Sequence, residues 1–184
     1  MNMEDFHGDG KEYLIKVRND NRLPSVWSHV LCNEKFGTLV TDSLGGYTWS
    51  KNSRLNRITA WSNNSVLDIH QKLFLWRIWK VKINGLFGLN PMPDKNDYYI
   101  TYGFGYAKYL HTSNNIIQNL TVFVPREDSI KVNILNLKNT LPRKRNLKIV
   151  YYIKPVLGED ELKSNEYIEL EFKQNSNIVC AKNL

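Results

Sequence analysis

The stretch "NLTVFVPREDSIKVNILNLKN", Asn119 to Asn139, decides the fold class. Leu120, Val122 and Val124 alternate with Thr121 and Phe123, "PRED" supplies a turn, and Ile130, Val132 and Ile134 resume the two-residue period. That pattern predicts an antiparallel hairpin. The period slips at Leu135 to Leu137, as an extra residue in a strand would make it do, and "NTLPRKRN" provides the next reversal. Toward the C-terminus, Leu147, Ile149, Tyr151 and Ile153 alternate before Pro155. Ile168, Leu170 and Phe172 then alternate with Tyr167, Glu169 and Glu171, giving one apolar and one mostly polar face. "KQNSN" turns the chain into a last short strand at Ile178 to Ala181. Toward the N-terminus, strand-like runs cover Tyr13 to Val17, Phe36 to Thr41, Leu73 to Val81 and Tyr98 to His111. "NGLFGLNPMPDKND", Asn84 to Asp97, reads as an irregular loop. No segment has sustained helical periodicity, and neither an internal repeat nor a low-complexity linker interrupts the chain. Many short strands broken by Gly, Asn, Asp and Pro predict an all-β antiparallel sandwich.

The 184 residues suffice for one core, and 42% hydrophobic with 23% charged residues is an ordinary globular balance. No run approaches the roughly 18 apolar residues of a membrane helix, so no membrane span is expected. "MNMEDFHGDGKEY" lacks the basic and apolar regions of a secretory signal, which makes the cytoplasm the expected compartment. Asn63-Asn64-Ser65 and Asn119-Leu120-Thr121 then match the glycosylation pattern by coincidence. Cys32 and Cys180 are far apart and have no Cys or His at ligand spacing. Neither a disulfide framework nor a metal site is expected, and no cofactor is implied. A net charge of +7 raises the question of nucleic acid, but the basic residues are scattered. The densest group, Arg143-Lys144-Arg145, follows Pro142 between two strand-like runs and reads as a solvated turn, so no nucleic-acid partner is expected.

Catalytic signatures are missing from the spacing. No G-x-S-x-G elbow occurs, His7, His29, His70 and His111 are widely separated, and "GFGYAK" (Gly103 to Lys108) lacks the phosphate-loop spacing. No pair of carboxylates is marked out by spacing for work on a glycosidic bond, although Glu34, Asp42 and Asp68 lie near the most unusual segment. That segment is "LGGYTWSKNSRLNRITAWSNN", Leu44 to Asn64, which gathers two Trp, one Tyr, two Arg and several Asn and Ser around a Gly-Gly pair. Tyr and Trp faces cover the C–H side of a sugar ring while Asn, Ser and Arg satisfy its hydroxyls. The same groups also suit a polar joint that seals one domain against another. The residues alone leave both readings open. Tyr47, Trp49, Asn52, Arg54, Asn56, Arg57 and Trp61 are the candidates in either.

"FGTLVTDSLGGYTWSKNSRLNRITAWSNN", Phe36 to Asn64, closely resembles a signature of the N-terminal domain of glycoside hydrolase family 94. "DGKEYLI" (Asp9 to Ile15), "YGFGYAKYLH" (Tyr102 to His111), the Asn119 to Asn139 stretch and "VYYIKPVLG" (Val150 to Gly158) resemble further segments of it in the same order. The Tyr-Thr-Trp and Asn-Ser-Arg details are closer to the branch of β-1,2-oligoglucan phosphorylases and cyclic β-1,2-glucan synthases than to the cellobiose branch. The resemblance implies a large antiparallel β-sandwich, a galactose-mutarotase-like supersandwich, spanning residues 1–184 as one N-terminal domain. In the family this sandwich precedes an (α/α)6 barrel. The barrel carries the catalytic aspartate and most of the site for phosphate, which attacks the anomeric carbon with inversion. None of the 184 residues resembles the barrel, so the chain alone is expected not to catalyse phosphorolysis. Its expected partners are a β-glucan oligosaccharide or that barrel. The chain stops inside a stretch resembling a sandwich strand, so the sandwich is open to being incomplete, with unpaired edges that favour a homodimer or a missing partner segment. The resemblance adds Tyr106 and Lys108 to the sugar-binding or barrel-facing candidates. Two departures weigh against retained sugar contacts in that segment: Thr101-Tyr102 replaces a usual Arg-His, and Ala107 replaces Thr or Ser.

Overall fold

A computed structural model of the chain describes residues 4–18, 20–61, 64, 68, 72–78 and 83–184. The architecture is all-β, with antiparallel sheets throughout. A six-stranded sheet runs in the order β1 (Glu4–His7), β2 (Glu12–Val17), β9 (Tyr98–Gly103), β10 (Tyr106–Ser113), β11 (Ile116–Phe123), β12 (Val132–Asn139). A three-stranded sheet orders β13 (Leu147–Ile153), β7 (Lys72–Ile78), β8 (Ile83–Leu86). A five-stranded sheet orders β14 (Pro155–Gly158), β6 (Arg57–Thr59), β5 (Thr48–Ser50), β4 (Phe36–Thr41), β3 (Ser28–Cys32). A ribbon of β15 (Ile168–Lys173) and β16 (Ile178–Asn183) follows the short helix α1 (Glu161–Ser164) and a 3-10 turn at Asn165–Tyr167. No helix among the described residues is long and apolar enough to cross a membrane.

Alternation builds the core. Along β10 and β11 every second side chain is buried, so Ala107, Tyr109, Leu120 and Val122 face inward with Ile15 and Val17 of β2 and Ile100 of β9. This face packs against Trp76 and Ile78 of β7 and against Leu31 and Val40 of β3 and β4 in one cluster. Hydrogen bonds pin the five-stranded sheet in place over it. Tyr109 Oη donates to the Thr41 carbonyl at 2.8 Å, Tyr102 Oη to the Trp27 carbonyl at 3.1 Å, and His29 Nε2 lies 3.0 Å from the Gly103 carbonyl. Burial holds the His29 imidazole below its usual pKa.

Several expected elements change on contact with the structure. The hairpin around "PRED" forms, but β11 and β12 pair one residue to one from Ile116↔Asn139 to Phe123↔Val132, with no extra residue. The apparent slip arises because apolar residues occupy both faces of β12. Leu135 and Leu137 pack on the core, whereas Ile134 points outward. A register shift occurs instead between Pro155 and Gly158, where β14 meets β6. The single run expected over Tyr98 to His111 is two strands folded back at Phe104-Gly105, with Gly105 at φ 81°. The loop expected at Asn84 to Asp97 begins inside β8. The apolar face expected at Ile168, Leu170 and Phe172 is not core, since Leu170 and Phe172 are exposed. Residues 79–81 of the expected strand, and Asn63 and His70, lie outside the described residues.

Candidate functional site

The ring-rich segment folds back on itself. Gly46, at φ 83°, makes the turn into β5 and sets Tyr47 beneath the surface, only 6% exposed. The Tyr47 and Trp61 rings stack at 4.8 Å and 4°, Trp49 lies tilted against Tyr47 at 5.0 Å, and the Arg57 guanidinium sits 5.7 Å above the Tyr47 ring. Trp49 reaches this position by lying over Gly37, where any Cβ would collide with its indole. Asn52 serves the loop itself. Its Oδ1 accepts from the Arg54 and Leu55 amides at 2.9 and 2.8 Å, its carbonyl accepts from the Asn56 amide, and the Asn56 carbonyl accepts from Ser50. Arg57 Nε donates to the Ser53 carbonyl at 3.3 Å.

A cleft of about 690 Å³ opens beside this stack. Arg54, Arg57 and Trp61 line one side, and Glu159, Asp160 and Tyr167 the other. The second wall exists because β14 pairs with β6 and delivers the following residues opposite the arginines. Asp160 caps α1 by accepting from the Leu162 amide at 2.9 Å, Ser164 donates back to the Asp160 carbonyl, and Lys154 pairs with Glu161. The Asn183 amide of β16 closes the far end by donating to the Leu157 carbonyl at 2.8 Å. Across the mouth Arg54 Nε and Glu159 Oε1 are 3.3 Å apart, with side chains 78% and 53% exposed. Such a wet pair contributes little, so Glu159→Gln should shift the thermal unfolding midpoint by no more than about 0.2–1 kcal/mol would. An indole, a guanidinium, carboxylates and an amide on facing walls suit a polyhydroxylated ligand or a polar protein surface.

The structure brings Tyr47, Trp49, Asn52, Arg54, Asn56, Arg57 and Trp61 together on β5, β6 and their loops, while Tyr106 and Lys108 belong to the six-stranded sheet. There Tyr106 Oη donates to Glu12, Lys108 Nζ lies 3.4 Å from the same carboxylate and 4.6 Å over the Tyr106 ring, and all three point outward. The hydrogen bond from Tyr106 holds the Glu12 carboxyl below its usual pKa, with Lys108 adding to it, and the Glu12 carboxylate raises the Tyr106 phenol in turn. Ala107 faces the core, so the residue type at that position does not alter the outer face. Sequence reasoning missed Glu159, Asp160, Tyr167 and Asn183. The signal was present in "GEDELKS", where Asp160 precedes an acidic first turn and a basic last turn.

A smaller cleft of about 210 Å³ is lined in part by Arg22, Asp42, Ser43, Asp68 and Asn90. Asp42 and Asp68 are 8% and 6% exposed. The Trp27 amide donates to Asp42 Oδ1 at 3.1 Å, while Thr41 and Ser43 donate to Asp68. Burial, and then the Asp68 charge, raise the Asp42 carboxyl to about 6. Glu34, the third carboxylate near the segment, lies elsewhere, on a cleft with Cys32 and Arg126. Among the described residues no group of three or more His, Cys, Asp or Glu side chains could hold a metal ion.

The antiparallel sheets packed on one core define a β-sandwich module, and its sequence places that module in a family. Residues 11–184 match the family model described as "Glycosyl hydrolase 94, supersandwich domain", and the chain belongs to that family. It is 24% identical over 179 residues to the Cyclic beta-(1,2)-glucan synthase NdvB of Rhizobium meliloti (strain 1021), a match covering 97% of this chain and 6% of that protein. It is 27% identical over 158 and 157 residues to the N,N'-diacetylchitobiose phosphorylases of Vibrio proteolyticus and Vibrio furnissii, covering 80% of this chain and 18% of each. The chain therefore spans only a small part of the length of these relatives.

Proposed function

We propose that residues 1–184 are one non-catalytic N-terminal supersandwich domain of a β-glucan-processing phosphorylase or synthase. The domain packs on a catalytic barrel and shapes the approach of the carbohydrate. The observation that carries this reading is the state of the signature segment: Tyr47 is buried, its ring stacked on Trp61 and covered by Arg57, beside a cleft edged by charged groups. Rings committed to one another in this way form a rigid joint for a second polar surface. The relationship to a protein named as a cyclic beta-(1,2)-glucan synthase makes a β-1,2-glucan the substrate class proposed for the whole enzyme.

A second reading, a stand-alone carbohydrate-binding module, is favoured by one feature. Trp61 is half-exposed, and its cleft is within the size range of small-ligand sites. Calorimetric titration of the purified chain with short β-1,2- and β-1,4-gluco-oligosaccharides separates the two. The joint reading expects a folded chain that binds neither and releases no sugar 1-phosphate when given phosphate and glucan. Trp61→Ala should then cost about 2 kcal/mol of stability, read in a urea melt, through lost stacking and burial. Saturable binding that Trp61→Ala abolishes in a still-folded chain would install the module reading instead. Phosphate-dependent release of sugar 1-phosphate by the purified chain would overturn both.

A further inference from the structure

Lys72 opens β7 with its side chain turned the wrong way for a lysine. It has the inward parity of Trp76 and Ile78 in the same strand, and it is only 5% exposed. Its Nζ is shut off from water and has no hydrogen-bond partner. A buried amine in that state costs stability unless an acceptor reaches it or it sheds its charge. The carboxylate whose charge reaches it is Asp68, which accepts from the Thr41 and Ser43 hydroxyls instead. Beside Lys72 lies a second amine, that of Lys131, a half-buried residue immediately before β12.

Two ammonium groups side by side away from water repel each other. Burial drives the Lys72 amine well below its usual pKa, with the Lys131 charge adding to the effect and Asp68 opposing it, and burial brings Lys131 down to about 8. Near neutral pH the pair therefore holds one proton, on Lys131, and Lys72 keeps a free lone pair. A desolvated lysine next to another cation is a nucleophile.

Proton count and access select what it reacts with. An inorganic anion seated between the amines would need both of them protonated, and it would have to carry its charge to an atom that water does not touch. Carbon dioxide is small and uncharged, and it combines with the neutral amine alone. We infer that Lys72 and Lys131 form a carbon dioxide site, in which Lys72 becomes a carbamate held by the Lys131 ammonium. The Lys72 nitrogen attacks the carbon, one C–N bond forms, and one C=O π bond opens onto its oxygen. The proton that the nitrogen then loses passes through the Lys131 amine to solvent, and nothing is oxidised or reduced. An unpartnered buried amine is thereby replaced by a buried ion pair. None of this depends on the sugar or barrel role proposed above.

NMR of the full chain equilibrated with isotope-labelled bicarbonate near the Lys131 pKa of about 8 tests the site. A carbamate resonance should appear in wild type, vanish in Lys72→Met, and fall at least about tenfold in population in Lys131→Met, which takes away the counter-ion. Acid that protonates both amines should erase it. In urea, bicarbonate should favour the folded wild type over a chloride control of equal pH and ionic strength. The folded-to-unfolded ratio should rise about tenfold when carbon dioxide stands at about ten times its dissociation constant, and Lys72→Met should not respond. Should Lys72→Met fail to fold, trapping in wild type replaces it: triethyloxonium alkylates the carbamate, and a digest should return Lys72 bearing an ethoxycarbonyl group. Absence of any Lys72-dependent resonance, ethoxycarbonyl groups confined to other amines, or a Lys131→Met variant that carbamylates as fully as wild type overturns the site.

Discussion

Gly46→Ala should lower stability by about 2–5 kcal/mol, enough to consume much of the margin of a typical domain. Two costs combine. At φ 83° an L side chain is strained by roughly 1–2 kcal/mol, and the added methyl would run into the carbonyl of Leu39, a backbone atom that no rotamer change can move. Overpacking of this kind adds typically 1–3 kcal/mol. Relief requires β4 and β5 to separate, which loosens the hydrogen bond from the Leu39 amide to the Tyr47 carbonyl at 2.9 Å. The Tyr47–Trp61 stack is anchored there, so the tryptophan emission should shift to the red together with the fall in the urea midpoint. A variant with the wild-type midpoint would show that the turn does not need its glycine.

Asp42→Asn should stabilise the protein at neutral and alkaline pH, by up to about 3 kcal/mol, and leave it unchanged in acid. The folded chain raises this carboxyl from 3.8 to about 6 through burial and the neighbouring Asp68. The folded state therefore keeps a proton that the unfolded chain has released. Wild-type stability is fully present below about pH 4, falls by about 1.4 kcal/mol per pH unit between about 4 and 6, and stays lost above. Asparagine mimics the protonated form and retains the acceptor for the Trp27 amide, so it removes the slope from that window. Urea melts of both proteins from pH 4 to 8 check this. Parallel curves across the range would show that Asp42 carries no folding-linked proton.

The strands most legible in the sequence are those with one buried face, such as β11, where Leu120 and Val122 alternate with Thr121 and Phe123 and period two reports the core directly. The three-residue strands β5 and β6 are too short to carry a period. The turn between β9 and β10 was hidden by Phe104, an exposed aromatic ring where a polar turn residue is usual, leaving the flanking Gly103 and Gly105 as its markers. The candidate site was half legible for a related reason. Its rings and arginines are contiguous, and their composition alone sets them apart. Glu159 meets Arg54 across 105 residues of chain, a contact that exists only through the β6–β14 pairing and that no local pattern encodes. Tyr106 and Lys108 were grouped with the ring segment by family likeness, whereas strand order puts them on another sheet.

The pairing of β2 with β9 also sets a timetable for synthesis. Glu12 finds its phenol partner Tyr106 only after 94 further residues have been made, which at about 5–20 residues per second leaves β2 waiting for roughly 5–20 seconds on the ribosome. During that interval Leu14, Ile15 and Val17 are exposed on a nascent strand whose other neighbour, β1, is only four residues long. The soluble yield of this chain should therefore respond to the speed of its translation.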